Sequence, residues 1–244
     1  MAGLGSRFAG TRFAQPKPLI PVHGIPMIRL VIDNIRPACP HRFVFICQQA
    51  HVRDHGLQAR LAQWAPGCSL IALDGLTEGA ACTVLEARQL IDTSAPLMIA
   101  NSDQYVTVDI DRYLSTMDDH AADGLIMTMQ AHDPKWSFAA VDGAGWVTRV
   151  AEKQVISSNA TVGIYNFRKG SDFVRAADAM IARDLRVNAE FYVAPVYNIA
   201  IEQGARIRIH DIGPEGENMH GLGTPEDLER FLATAASRRL PAIA

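Results

Sequence analysis

Over the first hundred residues, short apolar runs alternate with amphipathic stretches. Phe43 to Cys47 (FVFIC), Ser69 to Leu73 (SLIAL) and Leu97 to Ala100 (LMIA) are too short for helices and almost wholly apolar, the pattern of strands buried on both faces. Between them lie segments of helical period. Met27, Leu30, Val31 and Ile35 fall near helical spacing behind Pro26, which suits a first helical position. Val52 to Trp64 reads as a second helix, stopped by Pro66-Gly67, and Glu78 to Leu90 as a third. Strand and helix in alternation predict an α/β fold with a mostly parallel central sheet and helices on both faces.

From about Gly124 the pattern changes. GLIMTMQ, FAAV, WVTRVAEK and ATVGIYNF are strand-like, with a turn at Asp142-Gly143-Ala144-Gly145. Helices are expected near Ser171 to Arg183 and from Ala189 to Gln203, the second capped by Asn188 and ended by Gly204. ARIRIHDI is a late strand, and Thr224-Pro225 opens the last helix. With no repeat, linker or low-complexity segment, 1–244 reads as one domain of two halves that meet near residue 123.

Composition places the chain among ordinary globular proteins, 48% hydrophobic and 20% charged. No apolar run approaches the roughly 18 residues of a membrane span, and no secretory core is readable. Cys39, Cys47, Cys68 and Cys82 lack Cys-x-x-Cys spacing, so the expectation is reduced thiols in a cytoplasmic protein. The net charge of −3 conceals an asymmetry: residues 1–42 set six basic side chains against Asp33, which leaves −8 on the remainder. A basic start on an acidic chain favours a small polyanion over a nucleic acid, although Arg29, Arg36 and Arg42 suit the solvated face and exit of one helix.

The basic start has a shape. Gly3 and Gly5 allow backbone N–H groups to approach an anion, Arg7 can fork onto phosphate oxygens, and Lys17 sits braced between Pro16 and Pro18. The Walker loop would need Gly-Lys-Ser/Thr, and the dinucleotide fingerprint a third glycine where Phe8 stands. GLGSRF followed by PKPLIPVHGIPMI resembles the signature loop of the sugar nucleotidyltransferases, the nucleoside-diphosphate-sugar pyrophosphorylases, and the likeness runs on through NSD and EK to GTPEDL. Such a loop normally follows an apolar strand. Nothing precedes Met1 here, so residues 1–14 are expected to be held loosely.

The resemblance implies a Rossmann-like, GT-A-like fold, with a nucleotide-binding half over about 1–123 and a small β-rich acceptor-binding part within 124–244. It implies an NTP bound at Gly3, Gly5, Arg7, Lys17 and Gly79, and Mg²⁺ on Asp103, which stands just beyond LMIA. By position alone Asp103 could equally close an Asx turn, and Gly79 a plain helix start with Thr77 as cap. Glu152 and Lys153 match the family's acceptor-binding pair, with Gln154 where a proline is usual. Gly163 matches a small-residue strand against the sugar, though a β-bulge would also explain it. The second metal ligand stays open: Gly221 stands where the family often has aspartate, and His220, Glu190 and Asp211 are the other candidates.

The implied reaction is nucleotidyl transfer from an NTP to a sugar 1-phosphate, catalysed through Arg7, Lys17 and Asp103, with release of pyrophosphate. The short chain resembles members that serve capsule or lipopolysaccharide synthesis, and self-association is left open. Two alternatives stand beside it. A GT-A-type glycosyltransferase would not need the GLGSRF loop and ordinarily carries Asp-x-Asp, where this chain has Asp103-Gln104-Tyr105. A non-catalytic nucleotide-binding domain is compatible with Gly221. A serine hydrolase lacks its Gly-x-Ser-x-Gly elbow, and His51 and His55 lack the glutamate of a zinc helix.

Overall fold

The computed structural model describes Met1, Gly3, Phe8 and residues 15–240. Lys17–Leu19 is a single 3-10 turn behind Pro16. A hairpin of β1 (Pro21–Val22) and β2 (Ile25–Pro26) turns at His23 and Gly24, whose φ angles of +48° and +84° are those its tight turn requires. α1 (Met27–Ile35) buries Met27, Ile28, Leu30, Val31, Ile32 and Ile35, so its apolar face is broader than the spacing alone indicated. β3 (Val44–Gln48) and β4 (Ser69–Leu73) pair in parallel, connected through α2 (Gln49–His55) and α3 (Leu57–Trp64).

α4 (Ala80–Leu85) and α5 (Arg88–Ile91) replace the single helix expected over 78–90, and lead into β5 (Leu97–Ala100). β6 (Gln104–Val106) and α6 (Ile110–Asp119) follow. Then come β7 (Gly124–Gln130), β8 (Ser137–Val141), β9 (Val147–Glu152) and β10 (Asn159–Phe167). α7 (Gly170–Ala182), α8 (Val196–Glu202), β11 (Ile207–Pro214), β12 (Met219–Gly221), α9 (Pro225–Leu232) and α10 (Ala235–Arg238) complete the order.

The expected helix from Ala189 is corrected: α8 begins only at Val196. Pro195 takes the cap position, and Asn188 and Ala189 hold φ of +48° and +64°, outside the helical region. The backbone of this stretch is committed elsewhere. Phe191 N–H donates to the Glu78 carbonyl, and Ala81 N–H donates to the Phe191 carbonyl, both at 2.9 Å.

The chain divides into two compact units. The first unit comprises 1–75, 101–110 and 216–244. In it β6 pairs antiparallel with β12, and a core forms from Phe8, Ile20, Val22, Met27, Leu228 and Phe231 with their neighbours. Thr224 caps α9 by accepting from Asp227 N–H at 3.1 Å, as its sequence signals.

The second unit comprises 76–100 and 111–215 and holds a six-stranded sheet in the order β11-β7-β10-β8-β9, with β5 also on β10. Parallel pairing occurs in β3–β4 and β7–β11, while the other described ladders are antiparallel. The strands from Gly124 onward thus supply five of the six strands of the large sheet. The fold class is α/β, as the alternation of elements and the later strands together require.

Candidate active site

In the first unit, Lys17 is delivered by the 3-10 turn that Pro16 initiates, where Leu19 N–H returns to the Pro16 carbonyl at 2.8 Å. Its ammonium forms an ion pair with the Asp103 carboxylate, and both side chains are mostly buried, 20% and 25% exposed. Asp103 lies three residues beyond β5, and its carbonyl accepts from Leu222 N–H at 2.8 Å, which ties it to the segment leaving β12. Gly223 completes the group. A Cβ there would lie 3.0 Å from Asp103 Oδ2 and 3.5 Å from Lys17 Nζ, so a larger residue would crowd both charges.

A hard divalent cation takes one or two carboxylates and fills its remaining positions with phosphate oxygens and water. Asp103, with no side chain on Gly223 to crowd it, fits that requirement where a phosphate supplies the other oxygens. Among the described residues no three His, Cys, Asp or Glu side chains cluster as a metal cage. Gly221 has no side chain to offer, and the space a Cβ would take there borders the Asp227 carboxylate at 3.5 Å. Gly5 and Arg7 lie outside the described residues; Gly3 is exposed, with no atom near its Cβ position.

The second unit holds the remaining sequence-predicted residues. Gly79 adopts φ +135°, and a Cβ there would come within 2.5 Å of the Phe191 backbone nitrogen and oxygen. Glycine is therefore required for packing, and Gly79, not Thr77, is the cap residue of α4. Thr77 Oγ1 instead donates to the Gly79 carbonyl at 3.0 Å, and Glu78 pairs with Arg186.

Glu152 ends β9 directly opposite Ser137 of β8, and the Ser137 hydroxyl donates to its carboxylate. Burial pushes the Glu152 carboxyl above its ordinary value, partly offset by that hydrogen bond and by Lys153. Lys153 holds φ +53°, uncommon for a residue with a Cβ, and its Nζ donates to the Tyr192 hydroxyl at 2.8 Å. That hydrogen bond raises the lysine's pKa further. Gly163 has φ +80° at a register shift of β10 against β7, so the bulge is present.

Lys17 and Asp103 thus meet in one unit, while Gly79, Glu152, Lys153 and Gly163 belong to the other. Gly223, Ser137 and Tyr192 were not singled out from sequence. A glycine between a leucine and a threonine, a serine at a strand start and a tyrosine 39 positions from its lysine carry no local signal of partnership.

A family model described as Nucleotidyl transferase matches residues 1–187. The chain belongs to the nucleotidyl transferase family. Among curated relatives it is 28% identical over 213 residues to the bifunctional protein GlmU of Burkholderia orbicola (strain MC0-3), and 31% identical over 216 residues to that of Burkholderia mallei (strain SAVP1). Each match covers 84% of this chain and 44% of the relative, so the chain spans less than half their length. Among solved structures, the nucleoside-diphosphate-sugar pyrophosphorylase from Vibrio cholerae RC9 is similar at 26% identity and a TM-score of 0.81, over 96% of this chain and 98% of that one. The inositol-1-phosphate CTP transferase from T. maritima shares the fold, at 13% identity and a TM-score of 0.74 over 99% and 95% of the two chains.

Proposed function

We propose that this nucleotidyltransferase joins an NTP to a sugar 1-phosphate, releasing pyrophosphate and giving a nucleotide-activated sugar. The observation that carries the reading is the paired Lys17 and Asp103 beside Gly223, which has no side chain to crowd them, in a chain whose family transfers nucleotides. The similarity to a nucleoside-diphosphate-sugar pyrophosphorylase supports the sugar phosphate as acceptor.

A phosphate oxygen of the acceptor attacks the α-phosphorus in line, the bond to the β-phosphate oxygen breaks, and pyrophosphate carries away the electron pair. No side chain acts as nucleophile. Lys17 neutralises charge on the triphosphate, aided by Arg7 and the backbone at Gly3 and Gly5, and Lys153 receives the acceptor's phosphate. Glu152 accepts hydrogen bonds from the sugar hydroxyls, Gly163 leaves room for the ring, and Gly79 borders the nucleotide. Asp103 would hold Mg²⁺, which when bound supplies Lewis acidity and a template for the phosphates. Lys17, now on Asp103, then transfers to the incoming phosphates.

The protein works in the cytoplasm in this reading, as its four unpaired cysteines favour, and its product feeds the synthesis of surface polysaccharide. No described helix is long and apolar enough to cross a membrane.

The test is pyrophosphate release with ATP, CTP, GTP, UTP and dTTP, each with Mg²⁺ and a panel of hexose 1-phosphates, inositol 1-phosphate and phosphocholine. One NTP and one hexose 1-phosphate should stand out. Turnover with phosphocholine alone would change the acceptor class, and NTP binding without pyrophosphate from any pair would overturn catalysis.

A further inference from the structure

The strand paired with the one that ends in Glu152, and the strand next to it, carry buried hydroxyls that the proposed chemistry does not use. Ser137, Thr161 and Tyr165 are 8%, 3% and 7% exposed. Ser137 donates to the Glu152 carboxylate across the β8–β9 ladder. In β10, which pairs with β8 at Ala160 and Phe138, the Thr161 and Tyr165 hydroxyls are hydrogen-bonded at 2.9 Å.

Residues four apart in a regular strand stand roughly 13 Å from one another, so the contact needs an irregular backbone. It is present: between Thr161 and Tyr165, β10 advances four residues while β7 advances two, and Gly163 holds φ +80°. The bulge at Gly163 therefore has a consequence besides making room. It brings two hydroxyls together beside the strand that carries Ser137.

We propose that Ser137, Tyr165 and Thr161 are positioning residues that hold the Glu152 carboxylate in one orientation for the acceptor's hydroxyl groups. The proposal rests on Glu152 being the acceptor-binding carboxylate. A buried carboxylate that accepts one fixed hydrogen bond keeps its second oxygen directed at the ligand, which raises affinity by limiting the orientations lost on binding.

Titration accompanies the geometry. Burial raises the Glu152 pKa and the Ser137 hydrogen bond lowers it, with the charges of Lys153 and Glu190 acting in opposite senses. Burial also pushes the Tyr165 phenol up to about 12, opposed by its hydrogen bonds with Thr161 and Ser137, so it stays neutral at working pH. Arg149, Arg183, Arg186 and Glu202 line, with Glu152, a cleft of about 690 Å³.

The experiment uses the NTP and hexose 1-phosphate that release pyrophosphate fastest, with each KM measured from pH 5 to 9 for Glu152→Gln, Ser137→Ala, Ser137→Thr and Tyr165→Phe. Loss of a hydrogen bond to a charged group corresponds to roughly ten-fold or more in acceptor KM for Ser137→Ala, with NTP KM little changed. The acid limb of acceptor kcat/KM should move to higher pH, because the hydrogen bond that lowers the Glu152 pKa is gone. Ser137→Thr should restore both, and Tyr165→Phe should shift both in the same direction by less. If Glu152→Gln leaves acceptor KM unaltered, the acceptor assignment of Glu152 is wrong. If Glu152→Gln raises it while Ser137→Ala and Tyr165→Phe match wild type in acceptor KM and acid limb, Glu152 binds the acceptor and the positioning proposal is wrong. Should Ser137→Ala fail to fold, Tyr165→Phe decides alone.

Discussion

At the residue scale the charges are the decisive features. Lys17 is held on Asp103 in a half-buried place, so its ammonium is directed and not free to roam in solvent. Lys17→Ala is expected to lower kcat/KM by about 2–4 kcal/mol, the range seen when a donor to developing transition-state charge is lost, with melting little changed. Near-wild-type turnover at saturating NTP would remove Lys17 from the phosphate site. Glu152 gives a prediction of a different kind. Its carboxyl binds a proton more readily in the folded chain than its ordinary value of 4.5 allows. A group of that kind lends full stability below the unfolded value and loses it as pH rises through the folded one. At pH 7 the ionised carboxylate is therefore a cost. Glu152→Gln, whose amide oxygen still accepts from Ser137, should melt higher than wild type at pH 7, and the gap should close as pH falls below 4.5. Thermal melting from pH 4 to 8 checks the sign; an equal gap at both ends would mean that titration of this carboxyl is not its source.

At the element scale, legibility followed how local the determining physics is. β7, read as GLIMTMQ, falls at Gly124–Gln130, because a mostly apolar run buried up to its last residue admits few other placements. The cap at Thr224 was readable for the same reason, since its partner Asp227 is three residues away. Lys17 and Asp103 could be named singly through the family's motifs, but their pairing across 86 positions could not be read from spacing. The stretch from Ala189 misled because its apolar residues suit a helix, while Pro195 and the backbone bonds of Phe191 to the segment around Gly79 override that preference. Those bonds make a test. Gly79→Ala forces a Cβ to within 2.5 Å of the Phe191 backbone at a φ that disfavours side chains. It should cost about 3 kcal/mol or more in unfolding free energy, measured by urea denaturation. Unchanged stability would show that the two segments separate without penalty.

At the scale of the whole molecule, the division into two units bears on how ligand binding should be read. Lys17, Asp103 and Gly223 belong to the first unit, and Glu152, Lys153 and Gly163 to the second. A ligand that binds only the folded state at a hundred times its Kd adds about 2.7 kcal/mol of stability, and each kcal/mol is worth about 2–4 °C in a chain of this size. The preferred NTP with Mg²⁺ should therefore raise the melting temperature by roughly 5–11 °C. Asp103→Asn should abolish the part of that shift that disappears when the metal is chelated, whereas Lys17→Ala should reduce the shift whether metal is present or not. This readout needs no turnover, so it separates a failed metal assignment from a wrong acceptor. An Asp103→Asn protein that keeps the full chelator-sensitive shift would place the metal elsewhere. A wild-type shift indifferent to chelation would mean that nucleotide binding in the first unit rests on the cations of the chain alone.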